Sequence, residues 1–272
     1  MNLIEVQDFF KSLEVKNKIP VLGVPIVNGV HWLRRLIDSI DYPVEELFIV
    51  NNNGRDEITT ELDELTKINH PFIEKIRVCH LPHNLGVGGA WNLIIKSYLM
   101  SPYWIICNND VAFTPGFLKE MVEKASDSDT EIVWPPSINK YYVANGLGSF
   151  ECFLLKPSVI KKCGLFDENL YPAYCEDCDY LVKIKSKDIS SKYVTASYYH
   201  GESQHYETGS QTLKLESPEV SNKIRQSHML NIQYMKDTWG SDWENWEKYS
   251  NELPTFNRNY DIKFVKQKYL GF

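Results

Sequence analysis

Apolar residues in this chain gather into short, nearly unbroken runs, separated by segments in which they recur at helical spacing. The first run, Ile19-Pro-Val-Leu-Gly-Val-Pro-Ile-Val27, is rich in β-branched residues; His31 to Ile40 follows at helical period, and Leu47 to Val50 forms a second run. Runs apolar on both faces read as strands buried in a parallel sheet. The alternation continues with a helix around Glu57 to Ile68, a strand at Ile76 to His80 and a helix from Gly89 to Leu99. A strand at Trp104 to Cys107, a helix from Pro115 to Ala125 and a strand at Glu131 to Trp134 complete it. The fold class expected is α/β, an open, mostly parallel sheet with helices on both faces. Such sheets bind ligands beyond the carboxyl ends of their strands. The loops of interest are therefore Pro25 to Gly29, Asn51 to Asp56, Pro82 to Gly89 and Asn108 to Thr114.

The second half changes character. A strand is expected at Phe150 to Leu155, a short helix at Pro157 to Cys163, a helix with an acidic start at Cys175 to Lys187, and a strand at Tyr193 to Tyr199. Residues 201–221 are polar and expected to be mobile, and Asn222 to Thr238 reads as a helix. Trp239, Trp243 and Trp246 mark an aromatic tail that wraps over the core or over a ligand. At the other end, apolar residues at 3, 4, 6, 9, 10 and 13 predict a short amphipathic helix. The organisation expected is an N-terminal helix (1–18), a main domain (19–205) and a loop plus helical C-terminal extension (206–272).

Composition narrows the partners. The chain has 272 residues, is 43% hydrophobic and 24% charged, and suits a folded soluble protein. Its net charge of −7 lacks the basic excess that drives binding to nucleic acid or anionic lipid. A substrate carrying a diphosphate would need that acidity offset locally, and a divalent cation is the usual means. No signal-peptide pattern or long apolar run appears, so a cytoplasmic protein without a transmembrane segment is expected. Six dispersed cysteines point to reduced thiols.

Several constellations could carry chemistry, each beside a plainer reading. Cys107-Asn108-Asn109-Asp110 ends a buried strand in oxygen-bearing side chains suited to Mg²⁺ or Mn²⁺, or simply turns the chain. Asn51-Asn52-Asn53-Gly54 could read a nucleobase edge, or be a turn. Asn84-Leu-Gly-Val-Gly-Gly-Ala-Trp-Asn92 could present backbone amides to a phosphate, yet fits neither a dinucleotide fingerprint nor a P-loop. Cys175-Glu176-Asp177-Cys178-Asp179 places three carboxylates at a helix start, where mutual repulsion could raise a pKa or the charges could serve the helix dipole. Its Cys-x-x-Cys has no second pair or spaced histidines to make a zinc site. His200 is a metal ligand or an ordinary histidine, depending on what faces it.

Taken in order from about Pro20 to His200, these motifs resemble the family 2 glycosyltransferases of GT-A (Rossmann-like) fold, among them the rhamnosyltransferase-like members; Tyr234-Met-Lys-Asp-Thr-Trp-Gly240 is a weaker echo. The resemblance implies a nucleotide-binding half (about 19–112) and an acceptor half (about 113–205). It implies sugar-nucleotide contacts from Pro25, Val27, Asn51, Asn53, Asn84, Gly86, Asn92, Asn108 and Asn109, with Asn51-Asn52-Asn53-Gly54 departing from the family's Asp-Asn-x-Ser. It further implies Asp110 and His200 as ligands of Mn²⁺ or Mg²⁺, and Asp177 as general base with Glu176 beside it. The donor would be a UDP-, dTDP- or GDP-linked sugar, the acceptor a glycan or glycoconjugate, and the reaction inverting. A sugar-phosphate nucleotidyltransferase and a non-catalytic glycan-binding module are the rival readings. The first usually carries an early Gly-rich loop with Arg and Lys, absent from Gly23 to Gly29.

Overall fold

The computed structural model describes residues 18–54, 56–135, 149–201 and 211–244. The helix expected before Lys18, the stretch 202–210 and the tail beyond 244, Trp246 included, lie outside them.

The strands are β1 (Ile19–Ile26), β2 (Val44–Asn51), β3 (Ile76–His80), β4 (Trp104–Cys107), β5 (Val111–Phe113), β6 (Ile132–Trp134), β7 (Cys152–Leu155), β8 (Ser191–Tyr193) and β9 (Tyr198–His200). The helices are α1 (Val30–Asp38), α2 (Thr59–Leu65), α3 (Gly86–Ser97), α4 (Phe117–Ala125), α5 (Pro157–Cys163), α6 (Glu176–Lys185), α7 (Gln211–Leu215) and α8 (Pro218–Trp239). Seven strands form one sheet in the order β3-β2-β1-β4-β7-β6-β8, the α/β arrangement expected. Pairing is parallel from β3 to β4, antiparallel at β4–β7 and β7–β6, and parallel at β6–β8. The chain winds from β1 to β2 and β3 on one side and crosses to β4 on the other. The topological switch point is thus the crevice between the ends of β1 and β4.

Period-two alternation divides the apolar side chains between two layers. Leu22, Val24, Leu47, Ile49, Ile105 and Cys107 pack with α1, α2 and α4 on one face. Val21, Phe48, Val50, Trp104 and Ile106 pack with α3, α5 and α6 on the other. Central strands covered on both faces need apolar residues at every position, which is why they appear in the sequence as unbroken runs.

Helix α3 lies unusually close to the sheet. A Cβ built on Gly23 in β1 would sit 2.4 Å from Cγ2 of Ile94, so only hydrogen fits there. Gly23→Ala is expected to lower the unfolding free energy by about 1–3 kcal/mol, read by urea denaturation. Wild-type stability would mean that Ile94 turns aside without cost.

Some expectations change. The strand expected at Tyr193 to Tyr199 is two three-residue strands, β8 and β9, in different sheets. Strand β5 occupies what reads as loop, because it pairs with β9 and owes nothing to the main sheet. The stretch expected to be mobile is largely helical where it is described: α7 begins at Gln211, and α8 at Pro218 instead of Asn222. Ser217 caps α8 by accepting from the Val220 N–H at 3.3 Å, with Pro218 at the first helical position. Trp239 and Trp243 are buried with Leu170, Cys175 and Val182, docking α8 on α6. No described helix is long and apolar enough to cross a membrane.

Candidate active site

A cavity of about 500 Å³ opens at the switch point, a volume ordinary for a small-molecule site. The ends of β1 and β4 supply Pro25, Val27, Asn108, Asn109 and Asp110 to its wall, and α6 supplies Glu176 and Asp177. Helices α7 and α8 and the link between them cover it through Thr212, Leu213, Glu216, Val220 and Ile224.

The asparagine triplet that begins at the last residue of β2 divides between support and cavity wall. Asn51, the last residue paired with β1, turns its amide to His80 Nδ1 (3.0 Å) and Thr59 Oγ1 (3.5 Å), and its Oδ1 accepts from the Asn53 N–H (3.2 Å). It is not among the lining residues, and its side chain is taken up by His80, Thr59 and the Asn53 N–H. Asn52 and Asn53 line the cavity instead. Asn53 donates to the Val27 carbonyl. Asn52 Nδ2 donates to Asn84 Oδ1 (3.1 Å) and the Gly86 carbonyl (3.2 Å), and its Oδ1 accepts from the Leu85 N–H (2.7 Å).

Asn84 reaches the cavity, whereas Gly86 and Asn92 are not among its lining residues. Gly86 has φ +77°, and a Cβ there would lie 2.9 Å from the Tyr171 ring and 3.0 Å from the Pro172 carbonyl. It is a glycine because the chain turns against another backbone, and no ligand is needed to explain it. Asn92 donates to the Phe166 carbonyl (2.9 Å) and Glu168 Oε1 (3.0 Å) and accepts from the Phe166 N–H (3.0 Å). It clamps the Gly164-Leu-Phe-Asp-Glu168 loop to α3.

The short ladder β5–β9 pairs Val111 with His200 and so brings two distant residues together. Asp110 Oδ2 and His200 Nε2 stand 3.4 Å apart, both nearly buried. Burial pushes the Asp110 carboxyl above its ordinary pKa, with His200 pulling the other way. Arg35 braces the pair from behind by donating to the Asp110 carbonyl (3.2 Å) and the Gly201 carbonyl. Asn109 donates to the carbonyls of Asn28 (2.9 Å) and Gly29 (3.4 Å), tying the β4 loop to the β1 loop across the crevice.

The three carboxylates at the start of α6 part company. Glu176 and Asp177 face the cavity. Asp179 is fully buried behind them, with Lys183 Nζ at 2.6 Å and Trp239 Nε1–H donating at 2.8 Å. The pKa of Asp177 is raised, first by burial; the Cys178 N–H at 2.8 Å opposes it, and Glu151 adds to it. Repulsion within the motif is thus not the main cause, contrary to the expectation from its spacing.

Glu151 and Glu216 are site residues that sequence reasoning missed. Glu151 faces the cavity because the antiparallel return of β7 lets its carbonyl accept from the Asn108 N–H at 2.8 Å, and its carboxylate accepts from the Tyr198 hydroxyl. Only the pairing of β4 with β7 reveals it. Glu216 accepts from Asn28 Nδ2 at 2.6 Å, and Asn28 also donates to the Thr212 carbonyl at 3.2 Å, joining the β1 loop to the cover.

The lining is strongly acidic. Asp110, Glu151, Glu176, Asp177 and Glu216 contribute carboxylates, while no Lys or Arg is found among the described lining residues. An anionic ligand in this cavity requires a cation with it. Asp110 and His200 suit Mg²⁺ or Mn²⁺ in donor chemistry, but no group of three ligating side chains is assembled among the described residues. The arrangement fits a cation held jointly by the protein and the phosphates of a ligand.

This switch-point crevice on a mostly parallel sheet is the GT-A-like architecture of glycosyltransferases that use nucleotide sugars. The chain belongs to glycosyl transferase family 2, whose family model matches residues 22–162, just over half of it. Among solved structures, a mannosyltransferase from Pyrobaculum calidifontis in complex with GDP-Man and Mn²⁺ has a TM-score of 0.58 at 13% identity, covering 98% of this chain and 75% of that one. GalNAc-T7 with UDP, GalNAc and Mn²⁺ gives 0.58 at 12% identity, covering 94% and 55%. S. aureus TarS 1-349 in complex with UDP-GlcNAc gives 0.53 at 14%, covering 86% and 73%. A galactofuranosyl glycosyltransferase from Leishmania donovani is 24% identical over 224 residues, and the chain spans about half (52%) of its length.

Proposed function

We propose that the protein transfers a sugar from a nucleoside-diphosphate sugar to an acceptor hydroxyl on a glycan or glycoconjugate, with inversion, with Asp177 as general base. The observation that carries this reading is the convergence on one cavity of a buried Asp110–His200 pair and of Asp177, whose pKa is raised by burial.

Asn53 and Asn84 line the end where the loops after β2 and β3 meet, a surface suited to the nucleoside, and Asn52 braces it through Asn84, Leu85 and Gly86. Asp110 and His200 would hold a divalent cation, which when bound supplies positive charge against the diphosphate. Asp177 takes the proton of the acceptor hydroxyl as its oxygen bonds to the anomeric carbon. The bond from that carbon to the diphosphate oxygen breaks, and its electron pair leaves with the nucleoside diphosphate. One displacement inverts the anomeric centre. Helices α7 and α8 cover part of the cavity and would limit the access of water, which competes as acceptor.

The test is a thermal-shift and turnover screen with UDP-GlcNAc, GDP-mannose and dTDP-rhamnose, each with Mn²⁺, with Mg²⁺ and with EDTA. A sugar nucleotide that binds the folded state raises its melting temperature. The expected result is a shift and turnover with one donor class, both lost in EDTA. The dTDP-rhamnose arm tests the rhamnosyltransferase-like resemblance. Glycan binding without turnover of any donor would overturn the enzyme reading in favour of a binding module.

A further inference from the structure

Glu176 and Asp177 begin α6 directly after two residues in the left-handed backbone region, Tyr174 (φ 75°) and Cys175 (φ 72°). Neither is glycine, and for residues with a Cβ this conformation is unfavourable unless surrounding structure holds it. Cys175, at the capping position, makes no side-chain capping bond. The hold comes from far along the chain. Asn231, fully buried on α8, donates both N–H groups of its amide to consecutive carbonyls of this turn, Ala173 at 2.9 Å and Tyr174 at 2.7 Å.

Neighbours on the same face of α8 grip the adjoining backbone and side chains. Ser227 donates to the Tyr171 carbonyl, and Tyr234 donates to Asp167 Oδ2 at 2.8 Å. The His228 ring lies 4.7 Å from that of Tyr174. Asn231 is the member whose hydrogen bonds reach the backbone of the left-handed turn. An amide that spends both donors on adjacent carbonyls dictates the path of the peptides between them.

We propose that Asn231 is a positioning residue for the Glu176–Asp177 pair: it holds the left-handed Tyr174–Cys175 turn and thereby sets where α6 presents its carboxylates to the cavity. The catalytic part of this statement rests on Asp177 being the base; the hold on the turn does not.

Four proteins decide it: wild type, Asn231→Ala, the double variant Cys175→Gly/Asn231→Ala, and Asp177→Asn. Hydrogen–deuterium exchange of the whole chain reads the turn independently of activity. In Asn231→Ala, amides of residues 174–179 are expected to exchange about tenfold faster or more, with β1 and β4 unchanged. For the donor that turns over with Mn²⁺, kcat is expected to fall on the order of 100-fold, as for a catalytic group displaced by about 1 Å, with KM changed by less than about threefold. Glycine takes a positive φ without penalty, so Cys175→Gly in the Asn231→Ala background is expected to restore about tenfold of kcat.

Wild-type kcat and exchange in Asn231→Ala would overturn the proposal. So would a kcat loss that the double variant does not recover, since the role would then be general stability. If Asn231→Ala does not fold, folding of the double variant supports the proposal and its failure overturns it. Wild-type turnover by Asp177→Asn removes the base assignment and the catalytic part of the proposal, leaving exchange to decide whether Asn231 holds the turn.

Discussion

Asp177→Asn is expected to lower kcat by about 10²–10⁴-fold, the usual contribution of a general base, while donor binding persists. The amide keeps the shape of the carboxylate and its Oδ1 still accepts the Cys178 N–H, so the loss reports proton transfer and not geometry. The pH dependence follows from the direction of the shift. Burial raises the Asp177 pKa, so kcat/KM is expected to fall with acidification through a value above the usual carboxylate range near 3.9. Stability moves oppositely. Between the unfolded and folded pKa values the folded chain binds more protons than the unfolded one, so stability declines as pH rises through that window. The resulting penalty is present in full above the folded pKa. Asp177→Asn removes it and is expected to melt at or above the wild-type temperature. A variant inactive and also less stable would mean that the residue serves the fold. One with wild-type kcat would sink the base assignment.

Asp110→Ala is expected to cost about 10²–10³-fold in kcat/KM, comparable to removing one preorganised charge-stabilising group. The reasoning starts from the acidic lining. With five carboxylates around the cavity, a diphosphate enters only together with a cation, and Asp110 is the carboxylate paired with His200 at 3.4 Å. In the wild type, EDTA is expected to abolish the thermal shift given by the sugar nucleotide and to leave the ligand-free melting temperature nearly unchanged. The two side chains alone make a weak cation site, because Mg²⁺-like ions held by one or two protein ligands lean on substrate phosphates. Donor binding undiminished in EDTA, or Asp110→Ala retaining full activity with Mn²⁺, would refute the metal role.

Much of the architecture could be read from the residues. Strands buried on both faces leave a continuous apolar trace, and β1, β2 and β4 fall where such traces do, whereas edge strand β3 alternates apolar with polar residues. Strand β8, Ser191-Lys192-Tyr193, leaves none, and the apolar Val111-Ala112-Phe113 of β5 is too short a trace to declare a strand: three residues each, both are held by partners remote in sequence. The site was legible in its motifs but not in its division of labour. Asn51 and Asn52 are chemically identical neighbours, and only the end of β2 between them sends one to His80 and the other to the cavity. Asn92 and Gly86 belong to recognisable motifs yet act on backbone. The start of α8 is written in Ser217-Pro218-Glu219, a capping signal set within an otherwise polar stretch. Glu151 and Asn231 could not have been found from sequence: each matters through long-range contacts, to Asn108 and to the Ala173–Tyr174 turn.

The docking of α8 on α6 has a consequence for synthesis. The segment matched by the family model ends at residue 162, but Asp177, its left-handed turn and the cover of the cavity are secured by residues as late as Asn231 and Trp239. Domains fold as units as the chain emerges from the ribosome, so the helix that seats the carboxylates must be present before the unit is complete. Competence is reached late in translation, after about residue 239 has cleared the exit tunnel.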